Sequence, residues 1–163
     1  MTLIYEDPKH HIGVTETASG HHLITLQAVA SGASLFHIHG EQTPRPSRHS
    51  LQLDTDLHIN SPSGTSEQDQ MAKGYWRYLN HRCDPNVCIR DLDVIALRPI
   101  ASGEEITFDY DTTEYDMSEP FKCHCGSKNC RGWIRGFKHL NTAQQEAFRA
   151  QLLPYLLRHL DGM

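Results

Sequence analysis

The stretch NHRCDPN, residues 80–86, decides how the rest of the chain is read. Its seven positions include a histidine, a cysteine, a proline and two asparagines, residue types suited to ligation, turns and fixed hydrogen bonds. Two further clusters follow it, GEEITFDY at 103–110 and CHCGSKNCRG at 123–132. Three such compact clusters in one small chain require a common explanation.

The surrounding sequence bounds that explanation. A chain of 163 residues suits one domain with a single real core and a small appendage. Its composition, 38% hydrophobic and 21% charged, is that of an ordinary globular protein. The formal net charge of −5 disfavours direct nucleic-acid binding and favours a basic partner such as a lysine-rich peptide. The start, MTLIYEDPKHH, lacks the basic-then-apolar pattern of a secretion signal, and no apolar run has membrane-spanning length. Five cysteines without such a signal point to a reducing, intracellular setting, cytoplasm or nucleus, rather than a disulfide framework. The twelve histidines have no tidy metal-binding spacing and are read as surface and hydrogen-bonding residues.

Short runs of alternating or β-branched residues predict strands at 22–29, 34–40, 50–59, 86–91, 93–100 and 105–111. The polar segments 43–49 and 60–74 read as loops, and the acidic DTTEYDMSEP (111–120) reads as a linker. The fold class is therefore mainly β. The C-terminal segment changes period: Phe148, Leu152, Leu156 and Leu160 form one stripe of a helix over 141–160 that docks on the domain. Thr142 and Gln145 have capping-box spacing, and Pro154 is expected to kink or split the helix.

Cys123-x-Cys125-x4-Cys130 places three thiolates within eight residues, with Gly126 permitting a tight turn between them. Structural zinc takes four ligands, mostly thiolate or imidazole, so this loop reads as a zinc site lacking one ligand. His124, Cys83 and Cys88 are the candidates, although His124, flanked by two ligands, is expected to point away.

Together RYLNHRCDPN (77–86), GEEITFDY (103–110) and CHCGSKNCRG (123–132) resemble, in order and spacing, the motifs of SET-domain protein lysine methyltransferases that carry a zinc-binding post-SET segment. The family patterns run R-F-x-N-H-S-C-x-P-N, G-E-E-L-x-F/Y-D-Y and C-x-C-G-x-x-x-C-R-G; here Arg82 stands where serine is usual. The resemblance implies several small sheets around a pseudoknot, with a SET domain over 13–111 and a post-SET zinc segment over 119–135. It also implies Cys83 as the fourth zinc ligand beside Cys123, Cys125 and Cys130, leaving Cys88 as a buried strand residue.

The resemblance further implies methyl transfer from S-adenosylmethionine to lysine in a basic protein such as a histone. Tyr110 matches the catalytic tyrosine. Phe108 matches the position whose phenylalanine permits di- or trimethylation. Asn80 and His81 match the cofactor-holding pair, with Arg77 for the cofactor carboxylate and His124 and Trp133 near the adenine. The turn SGHHLITL (19–26) aligns with the family's glycine turn, so Gly20, His21 and His22 are expected at the cofactor's methionine end, with His22 where a second glycine is usual. Ile38 replaces a channel tyrosine, for which Tyr78 and Tyr75 are the substitutes, Tyr78 being assigned to the substrate channel. These departures keep two alternatives in view: a SET-fold enzyme acting on a small amine or other non-histone substrate, and a binding module without transfer.

Overall fold

The computed structural model describes residues 1–163, and no helix in it is long and apolar enough to cross a membrane. The chain opens with an antiparallel meander of β1 (Thr2–Asp7), β2 (Ile12–Thr17) and β3 (Gly20–Thr25). β4 (Ser34–His37) follows, then a second sheet formed by β5 (Glu41–Thr43), β6 (Leu51–Asp54) and β7 (Leu57–Asn60), in the order β5-β7-β6. α1 (Glu67–Gly74) and a 3-10 turn at Tyr75–Tyr78 lead into the two-residue β8 (Asn80–His81). β9 (Val87–Arg90) and β10 (Asp93–Ala96) form a hairpin that adds to β4 in the order β4-β10-β9. Its turn residues Asp91 and Leu92 both have positive φ, the geometry that matches strand twist in a two-residue hairpin.

β11 (Thr107–Phe108) pairs parallel with β8, Thr107 against Asn80 and Phe108 against His81. This short pairing brings the first two sequence clusters together. Asn86 secures it from the side: its Oδ1 accepts from Thr107 N–H at 2.9 Å, and its Nδ2 donates to the Glu105 carbonyl at 2.8 Å. β12 (Phe121–Lys122) and β13 (Trp133–Ile134) bracket the cysteine loop. α2 (Thr142–Ala147) and α3 (Pro154–Leu160) close the chain. A continuous core runs under all of this, from Ile12, Val14 and Leu23 through Phe36, Ile38 and Ile106 to Tyr155 and Leu156. Truncating one such buried aliphatic side chain to alanine removes roughly 2–5 kcal/mol.

Mainly β architecture with a docked C-terminal helix is what the sequence predicts, but several local readings need correction. β1 and β2 were not among the expected strands. Residues 50–59 form a hairpin, since Thr55 and Asp56 turn the chain between β6 and β7. The supposed loop 60–74 contains α1, capped by Ser66, whose hydroxyl accepts from Asp69 N–H. The segment 105–111 is a strand for only two residues before a 3-10 turn at Tyr110–Thr112. Nor is 111–120 simply a linker, because Asp111, Thr112 and Thr113 are buried. At the C-terminus the capping box belongs to Asn141 and Gln144, one residue before the predicted pair. Pro154 does split the helix; it occupies the first turn of α3, where its missing N–H has no partner to lose.

Candidate active site

Tyr110 lies two residues after the end of β11, and its conformation is fixed at both ends. Its hydroxyl donates to the Leu79 carbonyl at 2.8 Å, and its backbone N–H donates to His81 Nδ1 at 3.1 Å. Because Nδ1 accepts that bond, the His81 proton resides on Nε2, which faces Cys83 Sγ at 3.3 Å. Burial, aided by the Arg131 charge, lowers His81 to about 4 and keeps the ring neutral. Burial also raises the Tyr110 phenol well above its ordinary value, so it remains protonated. Phe108 packs against Tyr110 with ring centroids 4.8 Å apart.

Two cavities meet at these rings. One, of about 260 Å³, lies between Ser47–Leu51 and Met117–Phe121, with Phe108, Tyr110 and Glu114 in its wall. A smaller one, of about 60 Å³, is lined by Ile38, Leu51, Trp76, Arg77, Leu79, Phe108 and Tyr110. Ile38 therefore supplies apolar wall where the family pattern has a tyrosine. Tyr78 lines neither cavity and packs instead against His21, at 5.1 Å between ring centroids. Tyr75 is farther away, against Tyr5 and Phe36.

The expected cofactor residues divide into two groups. Asn80 Nδ2 donates to the His21 carbonyl at 2.8 Å and to Glu105 Oε1 at 2.9 Å, which fixes its amide. Its Oδ1 is left without a protein partner. His22 joins the same network through Nδ1 to Glu105 at 2.9 Å and Nε2 to Thr17 at 2.9 Å. Gly20 completes the β2–β3 turn with φ of 120°. Arg77 Nε is buried with no hydrogen-bond partner, and such an orphaned group fits a site that binds a polar ligand, whereas His21 Nε2 faces the Glu67 carboxylate at 3.5 Å. By contrast, His124 and Trp133 are solvent-exposed and make no hydrogen bond or aromatic contact with Asn80, His81 or Tyr110. Trp133 borders a separate hollow with Arg131, Arg135 and His139.

The sulfur atoms of Cys83, Cys123, Cys125 and Cys130 lie within 4.8 Å of one another, and Cys83 and Cys123 are 3.9 Å apart. Four thiolates around tetrahedral zinc stand about 3.8 Å apart, so the donor set fits zinc. Cys88 is remote, paired with Ile95 in the β9–β10 hairpin. Gly126 and Gly132 adopt positive φ and turn the loop around the sulfurs.

Sequence reasoning missed Arg131. Its guanidinium is almost buried and donates to Asp109 Oδ1 at 2.6 Å and Asp111 Oδ2 at 2.8 Å. Asp111 Oδ1 in turn accepts from Gly136 N–H at 2.8 Å. The Arg131 guanidinium also stands 5.1 Å from the Phe148 ring centroid. One side chain thus ties the cysteine loop to the segment carrying Tyr110 and to the C-terminal helices. The only signal in the sequence was an arginine next to Cys130 and two aspartates flanking Tyr110.

The SET domain family model matches residues 3–111. Similar proteins include methyltransferase flvH of Aspergillus flavus, 40% identical over 70 residues that cover 40% of this chain and 39% of that protein. Histone-lysine N-methyltransferase Set2 of Drosophila melanogaster is 40% identical over 91 residues, covering 50% of this chain and 4% of Set2. The chain thus spans well under half the length of these relatives. Among solved structures, the methyltransferase domain of human histone-lysine N-methyltransferase SETMAR matches with a TM-score of 0.55 at 18% identity, covering 77% of this chain and 58% of that chain. KRYPTONITE, solved with mCHG DNA and SAH, matches at 0.56 and 19% identity over 74% of this chain and 28% of its own.

Proposed function

The chain belongs to the SET domain family, and on that premise we propose that it methylates the side-chain amine of lysine in a basic, histone-like protein, using S-adenosylmethionine and a structural zinc ion. The observation that carries this reading is the Tyr110 hydroxyl, held on the Leu79 carbonyl beside Phe108 where two cavities meet.

When bound, S-adenosylmethionine supplies a methyl group made electrophilic by its sulfonium sulfur. Asn80, through its free Oδ1, and Arg77, through its unpartnered Nε, bind the polar amino-acid end of the cofactor, with His21 beside them. Ile38, Leu51 and Phe108 enclose the lysine side chain in apolar surface, which lowers the pKa of its ammonium and favours the neutral, nucleophilic amine. Since the Tyr110 proton points at the Leu79 carbonyl, the phenol oxygen keeps lone pairs free to accept from the amine and orient it. Phe108 brings no hydroxyl to anchor an obstructing water, which supports di- or trimethylation. Cys83, Cys123, Cys125 and Cys130 hold the zinc, keeping the 119–135 segment against the body of the domain. A histone-like substrate places the work inside the cell, in cytoplasm or nucleus.

The test is transfer of label from S-adenosylmethionine to a panel of basic proteins by wild type and Tyr110→Phe, with product mass read by spectrometry. Robust transfer by wild type and little by the variant is the expected result. Cofactor binding at full zinc occupancy without transfer to any protein would overturn the reading.

A further inference from the structure

A second hollow, of about 310 Å³, adjoins the cavity at Tyr110, and the two share Ser47, Ser50, Glu114, Met117 and Ser118. Its walls include Asp56, Glu114 and Asp116 but no lysine or arginine. Asp116 is already engaged by Lys138 and His139. The amide of Gln52 is also fully used: Oε1 accepts from Tyr115 N–H, and Nε2 donates to the carbonyls of Asp54 and Thr55.

What remains in the hollow is a set of unused acceptors. Glu114 Oε2 accepts from Gln52 N–H at 3.1 Å and from the Thr113 hydroxyl at 2.7 Å, while its Oε1 accepts no hydrogen bond. His58, in the middle strand of the β5-β7-β6 sheet, is 7% exposed, and its buried Nδ1 has no partner. Burial lowers the pKa of His58, so the ring is neutral and one nitrogen carries a lone pair. The exposed Asp56 carboxylate makes no hydrogen bond or ion pair. A ligand bringing positive charge and several donors would meet Asp56 together with Glu114 in its ionised form, the state that dominates above about pH 7.

We infer that the hollow beyond Glu114 is a subsite for a second cationic side chain of the substrate, an arginine or lysine neighbouring the lysine to be methylated. A guanidinium offers five N–H donors to Glu114 Oε1, His58 Nδ1 and Asp56. Pro44, Pro46 and Tyr115 in the same wall cover its aliphatic stem. The inference rests on the lysine-methylating reading and adds to it a requirement for sequence context.

The test uses zinc-loaded protein and peptides with one lysine, scanned at each flanking position with arginine, its neutral isostere citrulline, and alanine. At one position, citrulline for arginine is expected to raise KM about tenfold with kcat nearly unchanged. In Glu114→Gln or His58→Gln that penalty should shrink to about threefold or less. Asp56→Asn, at an exposed position, should reduce it as well and remains informative should the buried variants fail to fold. Methylation of basic peptides with no positional preference, or a penalty equal in wild type and all variants, would overturn the subsite. So would a Glu114→Gln variant that loses kcat, with its acid limb moved and KM unchanged, because Glu114 would then act as a proton acceptor. If no peptide is methylated, the broader reading fails, and calorimetric titration still tests the subsite: equal Kd for arginine and citrulline peptides would sink it.

Discussion

Replacing Arg131 by methionine isolates the contribution of the bridge between the cysteine loop and the segment that carries Tyr110. The side chains of Asp109 and Asp111 are 0% and 2% exposed, and that of Arg131 is 10% exposed. Methionine preserves much of the stem packing but leaves two buried carboxylates without a counter-charge. Removing one partner of a buried ion pair destabilises by about 3–5 kcal/mol. For a domain of this size that corresponds to a melting temperature lower by roughly 6–20 °C. The loss should depend on pH. Burial already raises both carboxylates above their ordinary values, and without Arg131 they rise further. A raised carboxylate binds its proton more tightly in the folded state, so the variant loses stability as pH climbs through the carboxylate range and regains it on acidification. Urea denaturation of zinc-loaded protein, followed by fluorescence of the buried Trp76, measures this. Neutralising the whole set with Arg131→Met, Asp109→Asn and Asp111→Asn should restore most of the loss. A loss below about 1 kcal/mol at neutral pH, or one that does not change between pH 5 and 8, would refute the reasoning.

Chelating zinc, or Cys83→Ser, should lower the melting temperature and speed amide exchange in 119–135 well before β1–β3 is affected, as hydrogen-exchange mass spectrometry would record. Phe108→Tyr should shift the product toward monomethyl-lysine with the fold intact, read from product masses, since the added hydroxyl enters the space beside Tyr110. Burial raises Glu114 to about 7, above its unfolded value near 4.5, so the folded state binds the extra proton between those limits. Stability should fall from pH 4.5 to 7 by up to about 3 kcal/mol relative to Glu114→Gln, and parallel denaturation curves for the two proteins would contradict this.

The sequence was most informative where local chemistry alone sets the outcome. The three clusters were legible because cysteine, histidine and asparagine at those spacings are rarely chosen for packing. That the first two clusters meet was foreseen only through the pseudoknot the family resemblance implies, and the parallel pairing of Asn80 with Thr107 was not predicted, since two-residue strands have no periodicity to detect. β1 was missed because TLIYED presents little buried surface and leans on β2 for its pairing. The segment 111–120 misled for another reason. Its carboxylates look solvated in sequence, yet Asp111 is buried against a guanidinium supplied from residue 131. Such long-range charge pairing leaves no local trace. Likewise, Tyr78 was a reasonable substitute for the tyrosine absent at position 38, but the 3-10 turn directs it toward His21.

The four-cysteine cluster closes a ring between Cys83, two residues beyond β8 at the β8–β11 crossing, and Cys123, well past it. Four sulfurs converge only after residues 80–83 have threaded alongside residues 107–110, because Cys83 is positioned by that crossing. A zinc ion held by all four sulfurs would latch that crossing, so its four-coordinate uptake is predicted to follow the threading. A chain that bound zinc through the three C-terminal thiolates alone would hold it loosely, with one position open to water. The time course of the fourth thiolate's engagement, followed by cobalt absorption during refolding, would act as a clock for the crossing of β8 and β11.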